Sequence, residues 1–217
     1  MAHVLVIGAS QGVGLETVKV LISEGHRVRA LARSADKIPI DDPGLEKFAG
    51  NALSRDDVAR ALDGVDSVVL ALGIGRSASS LQTLMRGTDL FSRATRILVD
   101  LMRERGPRRL VVVTGLGAGD SRGRFGFVYD GLVFPIFLKR IYDDKDIQER
   151  MVRDSGLDWT IARPGILVTS PVSGRYRALD DPRQWEFKTI ARADVARFVA
   201  DELRDGKFLL RTPLIIQ

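Results

Sequence analysis

The stretch HVLVIGASQGVG, His3–Gly14, decides the fold of this chain. Five residues of strand-favouring character lead into a glycine-rich turn, and an amphipathic segment follows with apolar Leu15, Val18, Leu21 and Ile22 at helical spacing. In a strand, glycine turn and helix of this kind, the helix N-terminus presents backbone N–H groups and its dipole to a phosphate. The stretch therefore predicts a nucleotide-binding turn.

Each glycine of the turn has its own physical role. Gly8 would let the chain leave the strand sharply, Gly12 would let backbone approach a pyrophosphate, and Gly14 would let helix and strand pack closely. The pattern alone is a weak signal in a chain with 21 glycines. Its place between a strand, a helix and a second strand at 27–32 strengthens it. The alternative is an ordinary turn that binds no ligand.

Length and composition favour one soluble domain over residues 1–217, since a chain of 217 residues buries one good core but not two. Cysteine is absent, which excludes thiolate nucleophiles and disulfides and fits a reducing cytoplasm. We expect no signal peptide, because the first strand starts at once, and no membrane span, because no apolar run reaches about 20 residues. The net charge of +5 comes from scattered arginines without interleaved aromatics, which argues against nucleic acid and fits an anionic cofactor.

Strand and helix signals alternate, which predicts βαβ units in a Rossmann-like, doubly wound parallel α/β sheet. Strands are expected at 3–7, 27–32, 45–49, 66–72, 109–114, 158–163, 208–210 and 214–216. Helices are expected at 13–24, 55–62, 84–105, 144–154 and 192–203. Residues from about 164 to 217 look less regular and would form a smaller substrate-side region.

Parallel sheets bind ligands beyond the C-terminal ends of their strands, where the strand order reverses. The loops expected to line that crevice are 8–14, 33–37, 51–53, 72–76, 114–121 and 164–169. An acid at the end of the second strand would favour NAD, but Arg33 stands there, 19 residues after Gly14. A guanidinium can hold a 2′-phosphate bidentately, so NADP is preferred to NAD, with Ser34 or Lys37 assisting. The alternative is a solvated surface arginine.

With these motifs placed, the sequence resembles the atypical short-chain dehydrogenases/reductases, most of all the biliverdin-IXβ reductase/flavin reductase branch and its bacterial NAD(P)H-binding relatives. The likeness is carried by VLVIGASQGVG (4–14), LAR (31–33), LALG (70–73), LVVVTG (110–115), DDKDIQERMVRDSGLDWTIARPGIL (143–167) and IARADVARFVADEL (190–203).

The resemblance implies a contact set for the whole dinucleotide. The diphosphate would be cradled by Gly8, Ser10, Gln11, Gly12 and Val13, and the 2′-phosphate by Arg33 and Ser34. The adenine would lie between Asn51 and Ala52, although the family often has aspartate where Asn51 stands. The adenosine ribose would lie over Leu72 and Gly73, with Arg76 reaching the phosphates. Thr114 and Lys145 would lie near the nicotinamide ribose, and the backbone of Pro164 to Ile166 would face the carboxamide.

The sequence departs from the main branch of this superfamily at its proton relay. That branch uses a serine after the fifth strand and a Tyr-x-x-x-Lys pair, whose lysine lowers the tyrosine pKa. Here Gly115 stands at the serine position, with Thr114 one place earlier. Ile141 stands four residues before Lys145, and Tyr142 stands three before, on the same face if the segment is helical. The relay is therefore displaced or degraded.

The remaining chemistry favours an acceptor that needs little proton transfer at the moment of hydride transfer. We expect an NADPH-dependent reductase of a small planar acceptor, flavin-, quinone- or tetrapyrrole-like. Lys145 would position the ribose, Thr114 would supply a hydrogen bond, and Tyr142 would donate a proton. The aromatic stretch 125–142 reads equally well as a lid over the acceptor or as a core or dimer contact.

Other functions stay open. The protein could be a non-catalytic NADP-binding redox sensor or assembly factor, while a sugar-nucleotide epimerase is disfavoured because the chain after Arg163 looks short for a substrate domain. Both histidines, His3 and His26, are expected to be structural, and no metal-ligand spacing is present. The Asp143-Asp144 pair reads as a solvated helix start. The sequence leaves monomer and homodimer open.

Overall fold

The fold is described from a computed structural model that covers residues 1–73, 88–119 and 139–217, with side chains in the last range from residue 142. Its strands are β1 (His3–Ile7), β2 (Arg27–Ala32), β3 (Leu45–Ala49), β4 (Ser67–Leu70), β5 (Arg109–Val113), β6 (Asp158–Pro164), β7 (Ile166–Val168), β8 (Arg177–Leu179), β9 (Thr189–Ala191) and β10 (Leu214–Ile216). Its helices are α1 (Gly12–Ser23), α2 (Arg55–Leu62), α3 (Leu90–Arg105), α4 (Lys139–Arg153) and α5 (Arg192–Asp205).

Eight strands form one sheet in the order β3-β2-β1-β4-β5-β6-β10-β8, and β7 pairs with β9 apart from it. The strands from β1 to β6 and β10 run parallel, while β8 is antiparallel to β10. The chain moves outward from β1 to β3 and then returns to build β4, β5 and β6 on the other side of β1. The order therefore reverses between β1 and β4, which confirms the Rossmann-like, doubly wound α/β fold in a single domain.

Helices cover both faces of this sheet. The helices α1 and α5 pack on one face with Val4 and Val6 of β1, while α2, α3 and α4 pack on the other with Leu5 and Ile7. Successive side chains of a strand point to opposite faces, so a strand buried on both sides is apolar throughout. This is why the apolar run at the start of the chain becomes a central strand.

Several helix and strand boundaries differ from those predicted. The strand predicted at 66–72 is shorter, at Ser67–Leu70, and α4 begins at Lys139 rather than near residue 144. The prediction of a strand at 208–210 is wrong: the chain turns there, and Leu210 has a φ of 56°. The N–H of Leu210 donates to the carbonyl oxygen of Trp159 at 2.7 Å, which ties this turn to β6, while the side chains of Leu209 and Leu210 are exposed.

The C-terminal region is more regular than the sequence indicated. The strands β7, β8 and β9 were not predicted, and β10 joins the main sheet beside β6. Each of them is only three residues long, too short for an alternating pattern to stand out. Within the described part of the chain, no helix is both long and apolar enough to cross a membrane.

Candidate functional site

The C-terminal ends of β1, β2 and β4 meet at Gly8. The Gly8 N–H donates to the carbonyl oxygen of Leu31 at 3.0 Å, which ties the end of β1 to the end of β2. A β-carbon on Gly8 would lie 2.6 Å from the carbonyl oxygen of Ala71, just beyond β4. The turn therefore sits at the point of strand reversal, where ligands bind in open α/β sheets.

The N-terminus of α1 fits an anionic group. Gln11 precedes the helix without a side-chain capping hydrogen bond, and the first turn holds no acidic residue. Gly12 has a φ of 61°, and no atom of the other described residues lies within 4 Å of where its β-carbon would be. Gly14 contacts the carbonyl of Gly8 so closely that a β-carbon cannot be accommodated. The first N–H groups of a helix lack intrahelical partners, and the open space at Gly12, as far as the described residues go, would let a diphosphate approach them.

Arg33 and Ser34 follow β2 at the same edge of the sheet. Arg33 and Lys37 are exposed, and neither forms an ion pair with any residue that the structure describes. Ser34 is half-buried and precedes the 3₁₀ turn Ala35–Lys37. Two cationic side chains thus flank the end of β2, and neither forms an ion pair with Asp36, the exposed carboxylate that stands between them in the sequence.

Asn51 and Ala52 follow β3. The Asn51 N–H donates to Asp57 Oδ2 at 2.9 Å, a bond that helps hold the pKa of that carboxyl below its usual value. Asn51 Oδ1 accepts from the N–H of Leu53 at 3.0 Å, and Ala52 packs against the core. The carbonyl end of the Asn51 amide is therefore engaged within the loop.

Further along the edge, Leu72 is half-buried and Gly73 is exposed after β4. Arg76 lies outside the described residues, as do the aromatic residues of the stretch 125–142 other than Tyr142. Their predicted roles remain predictions.

Lys145 reaches the end of β5 from α4. Its ammonium group donates to the carbonyl oxygen of Thr114 and lies 5.0 Å from the ring centroid of Phe91 and 5.7 Å from that of Tyr142. Burial lowers the pKa of Lys145 to about 8, although Glu149 and Asp144 act against this shift. Lys145 is therefore a cation that can lose its proton close to neutral pH.

Tyr142 lies one helical turn before Lys145 in α4, which makes the segment helical as the sequence argument required. Its hydroxyl faces Gly115, the residue at the serine position of the main branch. The predicted residues Thr114, Tyr142 and Lys145 are thus brought together at the end of β5.

Sequence reasoning did not identify Glu149 and Arg163, which lie behind Thr114. The Thr114 hydroxyl donates to Glu149 Oε1 at 2.8 Å. Arg163 Nε donates to the same oxygen at 3.0 Å, and Arg163 Nη2 donates to Oε2 at 2.5 Å. Both charged side chains are fully or almost fully buried. One signal was available, because Arg163 is a charged residue that directly follows the apolar pair Ile161-Ala162 in strand β6.

The interpretation of Asp143-Asp144 as a solvated helix start is wrong for Asp144, which is buried. Its carboxylate accepts from the N–H groups of Phe91 at 2.8 Å and Ser92 at 3.3 Å, in the first turn of α3. The residue before that helix, Asp89, makes no capping hydrogen bond with its side chain, so Asp144 supplies the missing acceptor. In the described ranges, no group of three potential ligands could hold a metal ion.

The backbone at Pro164–Ile166 is already paired within the protein. The N–H groups of Gly165 and Ile166 donate to Ile215 and Lys188, at 2.9 and 3.0 Å, and the Pro164 carbonyl accepts from Leu116 at 2.9 Å. What Ile166 presents outward is its side chain, which is 42% exposed. The predicted backbone contact with a carboxamide is untested, and the segment offers an apolar surface.

Known proteins share this sequence pattern and fold. The sequence model of a family described as NAD(P)H-binding matches residues 8–206. The chain is similar to the uncharacterized sugar epimerase YhfK of Bacillus subtilis strain 168, with 28% identity over 203 residues that cover 92% of this chain and 87% of YhfK.

Two solved structures have the same fold at low identity. ChuY, an anaerobilin reductase from Escherichia coli O157:H7, has a TM-score of 0.80 and 24% identity over 99% of this chain and 96% of its own. A short-chain dehydrogenase/reductase from Veillonella parvula DSM 2008, in complex with NADP, has a TM-score of 0.81 and 15% identity over 100% of this chain and 94% of its own.

Proposed function

Because the chain belongs to the NAD(P)H-binding family, we propose that it is an NADPH-dependent reductase that passes hydride to a planar conjugated acceptor. One observation carries this proposal: the open N-terminus of α1 and the ammonium group of Lys145 lie at the same edge of one parallel sheet. Only β4 separates β1 from β5, so their loops are about 10 Å apart at the usual strand spacing. An extended dinucleotide can bridge that distance, and a bound reduced nicotinamide would supply the hydride.

The choice of NADPH rests on Arg33. Its guanidinium is exposed at the end of β2, and no described carboxylate pairs with it. A planar guanidinium binds phosphate through two parallel hydrogen bonds, which a ribose hydroxyl cannot match. Lys37 adds a second positive charge nearby. The NADP held by the Veillonella parvula relative supports the same choice.

Three side chains at the end of β5 would act on the reacting part of the cofactor. The ammonium group of Lys145 has three N–H donors, and one of them is engaged with the Thr114 carbonyl. The other two would donate to the ribose hydroxyls. The hydroxyl proton of Thr114 is engaged with Glu149, so Thr114 would contribute as an acceptor and through its carbonyl. Tyr142, whose hydroxyl faces Gly115 and whose ring lies near Lys145, would then protonate the acceptor.

An acceptor with a conjugated ring system suits this arrangement. A ketone develops charge on one oxygen and needs a donor there at once, whereas a flavin, quinone or tetrapyrrole spreads the charge and takes its proton later. The exposed side chain of Ile166, after β6, would lie against the face of such a ring. ChuY is an anaerobilin reductase, which supports a tetrapyrrole as the acceptor. We propose the cytoplasm as the location of the protein.

The proposal is tested by following oxidation of NADPH in the presence of FMN, menadione and biliverdin. We expect turnover with at least one of them, and a primary isotope effect when NADPH carries deuterium on one face of the nicotinamide ring. Turnover with none of the three above the rate without protein would contradict the reductase.

Two lysine variants sharpen this test. Lys145→Met should lower kcat/KM by about 100-fold, because a positioning contact and its charge are lost together. Lys19→Met is the control, since Lys19 is on the outer face of α1, where it pairs with Glu16 at 2.8 Å. It should leave kcat/KM unchanged.

A second function, an NADP-binding redox sensor without turnover, is favoured by one observation. Gly115 stands where the main branch has its serine, and the hydroxyl of Thr114 is engaged with Glu149. Tight binding of NADP, no oxidation of NADPH with any acceptor, and a protein partner released by NADPH would support the sensor.

A further inference from the structure

Thr114 is bound twice by α4. Its carbonyl oxygen accepts from the ammonium group of Lys145, and its hydroxyl donates to Glu149 Oε1 at 2.8 Å. Lys145 and Glu149 are four residues apart and therefore lie on the same helical face, one turn from each other. The end of β5 is thus held between two oppositely charged side chains of one helix.

Glu149 is itself fixed from a third element. Arg163 of β6 donates to both of its carboxylate oxygens, at 3.0 and 2.5 Å, and both side chains are buried. A β-carbon on Gly119 would lie only 2.5 Å from Glu149 Oε2 and Arg163 Nη2, so the loop after β5 also closes over the pair. The position of Glu149, unlike that of an exposed side chain, is determined by its surroundings.

We infer that Glu149 is a positioning residue for Lys145, because through Thr114 it holds the end of β5 against α4 and so determines where the ammonium group binds. The inference rests on the proposed function only in giving Lys145 a role in the reaction. Glu149 does not contact the cofactor or the acceptor in this account.

The charges around Lys145 fix the direction of the expected effect. Among the described residues, Glu149 and Asp144 on its own helix act on Lys145, and the rings of Tyr142 and Phe91 face it. Arg163 of β6 and Arg153 of α4 lie behind Glu149 and pair with it. Neutralising Glu149 removes a negative charge that favours the ammonium form of Lys145. The titration of Lys145 should therefore move to lower pH.

The test is a titration of Lys145 followed by the NMR shift of its labelled Cε atom, in the full chain without cofactor. Seven lysines are present, and Lys145→Met identifies the signal. In Glu149→Gln we expect the midpoint to fall by about 0.5 pH unit or more. An unchanged midpoint in a folded Glu149→Gln protein would overturn the inference.

The chain offers a matched control in Glu202. This buried carboxylate also accepts from a threonine hydroxyl, that of Thr160 at 2.8 Å, and from an arginine, Arg109 at 2.8 Å. It lies near the opposite end of β5 from Thr114. Glu202→Gln should lower the melting temperature as Glu149→Gln does but leave the Lys145 midpoint in place; an equal shift in both would mean a general loosening and would contradict a positioning role.

Thr114 provides a second test that keeps both buried charges. Thr114→Val removes the hydroxyl that Glu149 holds, so the carbonyl contact with Lys145 should weaken and the midpoint should fall. Thr114→Ser restores a hydroxyl and should restore the midpoint. If Thr114→Val and Thr114→Ser shift the Lys145 midpoint equally, the hydroxyl of Thr114 does not link Glu149 to the position of Lys145. These titrations need no turnover. If the protein reduces none of the acceptors, the proposed function is contradicted, while the role of Glu149 can still be tested.

Discussion

The hydroxyl of Tyr142 lies 2.9 Å from the position that a β-carbon on Gly115 would occupy. The nearest ring atoms of Tyr142, Cζ and Cε1, lie 3.6 and 3.7 Å from that position, which is ordinary van der Waals contact. The tyrosine hydroxyl therefore occupies the space beside β5 where a side chain at residue 115 would begin. Glycine at 115 and tyrosine three residues before Lys145 are sterically matched.

This match predicts that Gly115→Ala will displace the hydroxyl of Tyr142 without disturbing the fold, because the end of a side chain yields more easily than backbone. We expect kcat for the acceptor to fall about tenfold, since sub-ångström displacements of a reacting group are costly. In a Tyr142→Phe background, the same alanine should have no further effect. A double-mutant cycle measures this, and additive losses would show that the two residues act separately.

Arg33→Asp should weaken binding of NADPH far more than binding of NADH, because it replaces a phosphate ligand by a repelling charge. We expect the preference for NADPH to fall by about 100-fold, the size of one charged hydrogen-bonding contact or more. Arg27→Asp is the matched control, since Arg27 is exposed at the other end of β2. Equal losses for NADPH and NADH in Arg33→Asp would mean that Arg33 does not bind the 2′-phosphate.

Gly12→Ala and Gly64→Ala make a matched pair. Both glycines have positive φ, 61° and 68°, and in the part of the chain that the structure describes no atom lies within 4 Å of the position of either β-carbon. Each alanine should therefore cost about 1–2 kcal/mol in the free energy of unfolding. Only the Gly12 variant should also weaken NADPH binding, because its methyl group would enter the space before α1. Calorimetry on the two proteins separates the effects; equal affinities would place the diphosphate elsewhere.

The lowered pKa of Lys145 makes NADPH binding depend on pH. Below about pH 8 the ammonium group is present and can donate to the ribose, and above it the donor charge is lost. Affinity should therefore fall as pH rises through about 8, and Lys145→Met should remove that dependence. A pH profile of the dissociation constant that is flat in the wild-type protein from neutral to mildly alkaline pH would contradict this role.

The same pKa has a consequence for stability. In the unfolded chain Lys145 should titrate near its ordinary value of 10.5, so between about pH 8 and 10.5 the unfolded state binds more protons than the folded state. The contribution of Lys145 to the free energy of unfolding should rise with pH across that window. Thermal unfolding of the wild-type protein and of Lys145→Met at matched pH values measures the difference.

The regular part of the fold could be predicted from sequence because its signals are local. The apolar run of β1, the turn at Gly8 and the helical spacing of α1 lie within about 20 consecutive residues, and each constrains the next. The strand β7 has no such signal, since it forms by pairing with β9, more than 20 residues away along the chain. The segment at 208–210 has a strand-like composition, but its place after α5 makes it a turn.

The candidate site could likewise be predicted where its signals are local to a strand end. The residues of the turn, Arg33 and the group at Thr114, Tyr142 and Lys145 follow from strand ends and a family resemblance. The pairing of Glu149 with Arg163 could not be predicted, because nothing local to either residue says that its partner lies on the neighbouring element. Asp144 was misread for the same reason, since the helix that it caps begins more than 50 residues earlier.

The most direct measurement is an isothermal titration of the protein with NADPH, repeated with NADH and with the Gly12→Ala and Arg33→Asp variants. We expect saturable binding of one NADPH per chain, weaker binding of NADH, and loss of affinity in both variants. Absence of binding in the wild-type protein at millimolar NADPH would contradict both proposed functions, the reductase and the sensor.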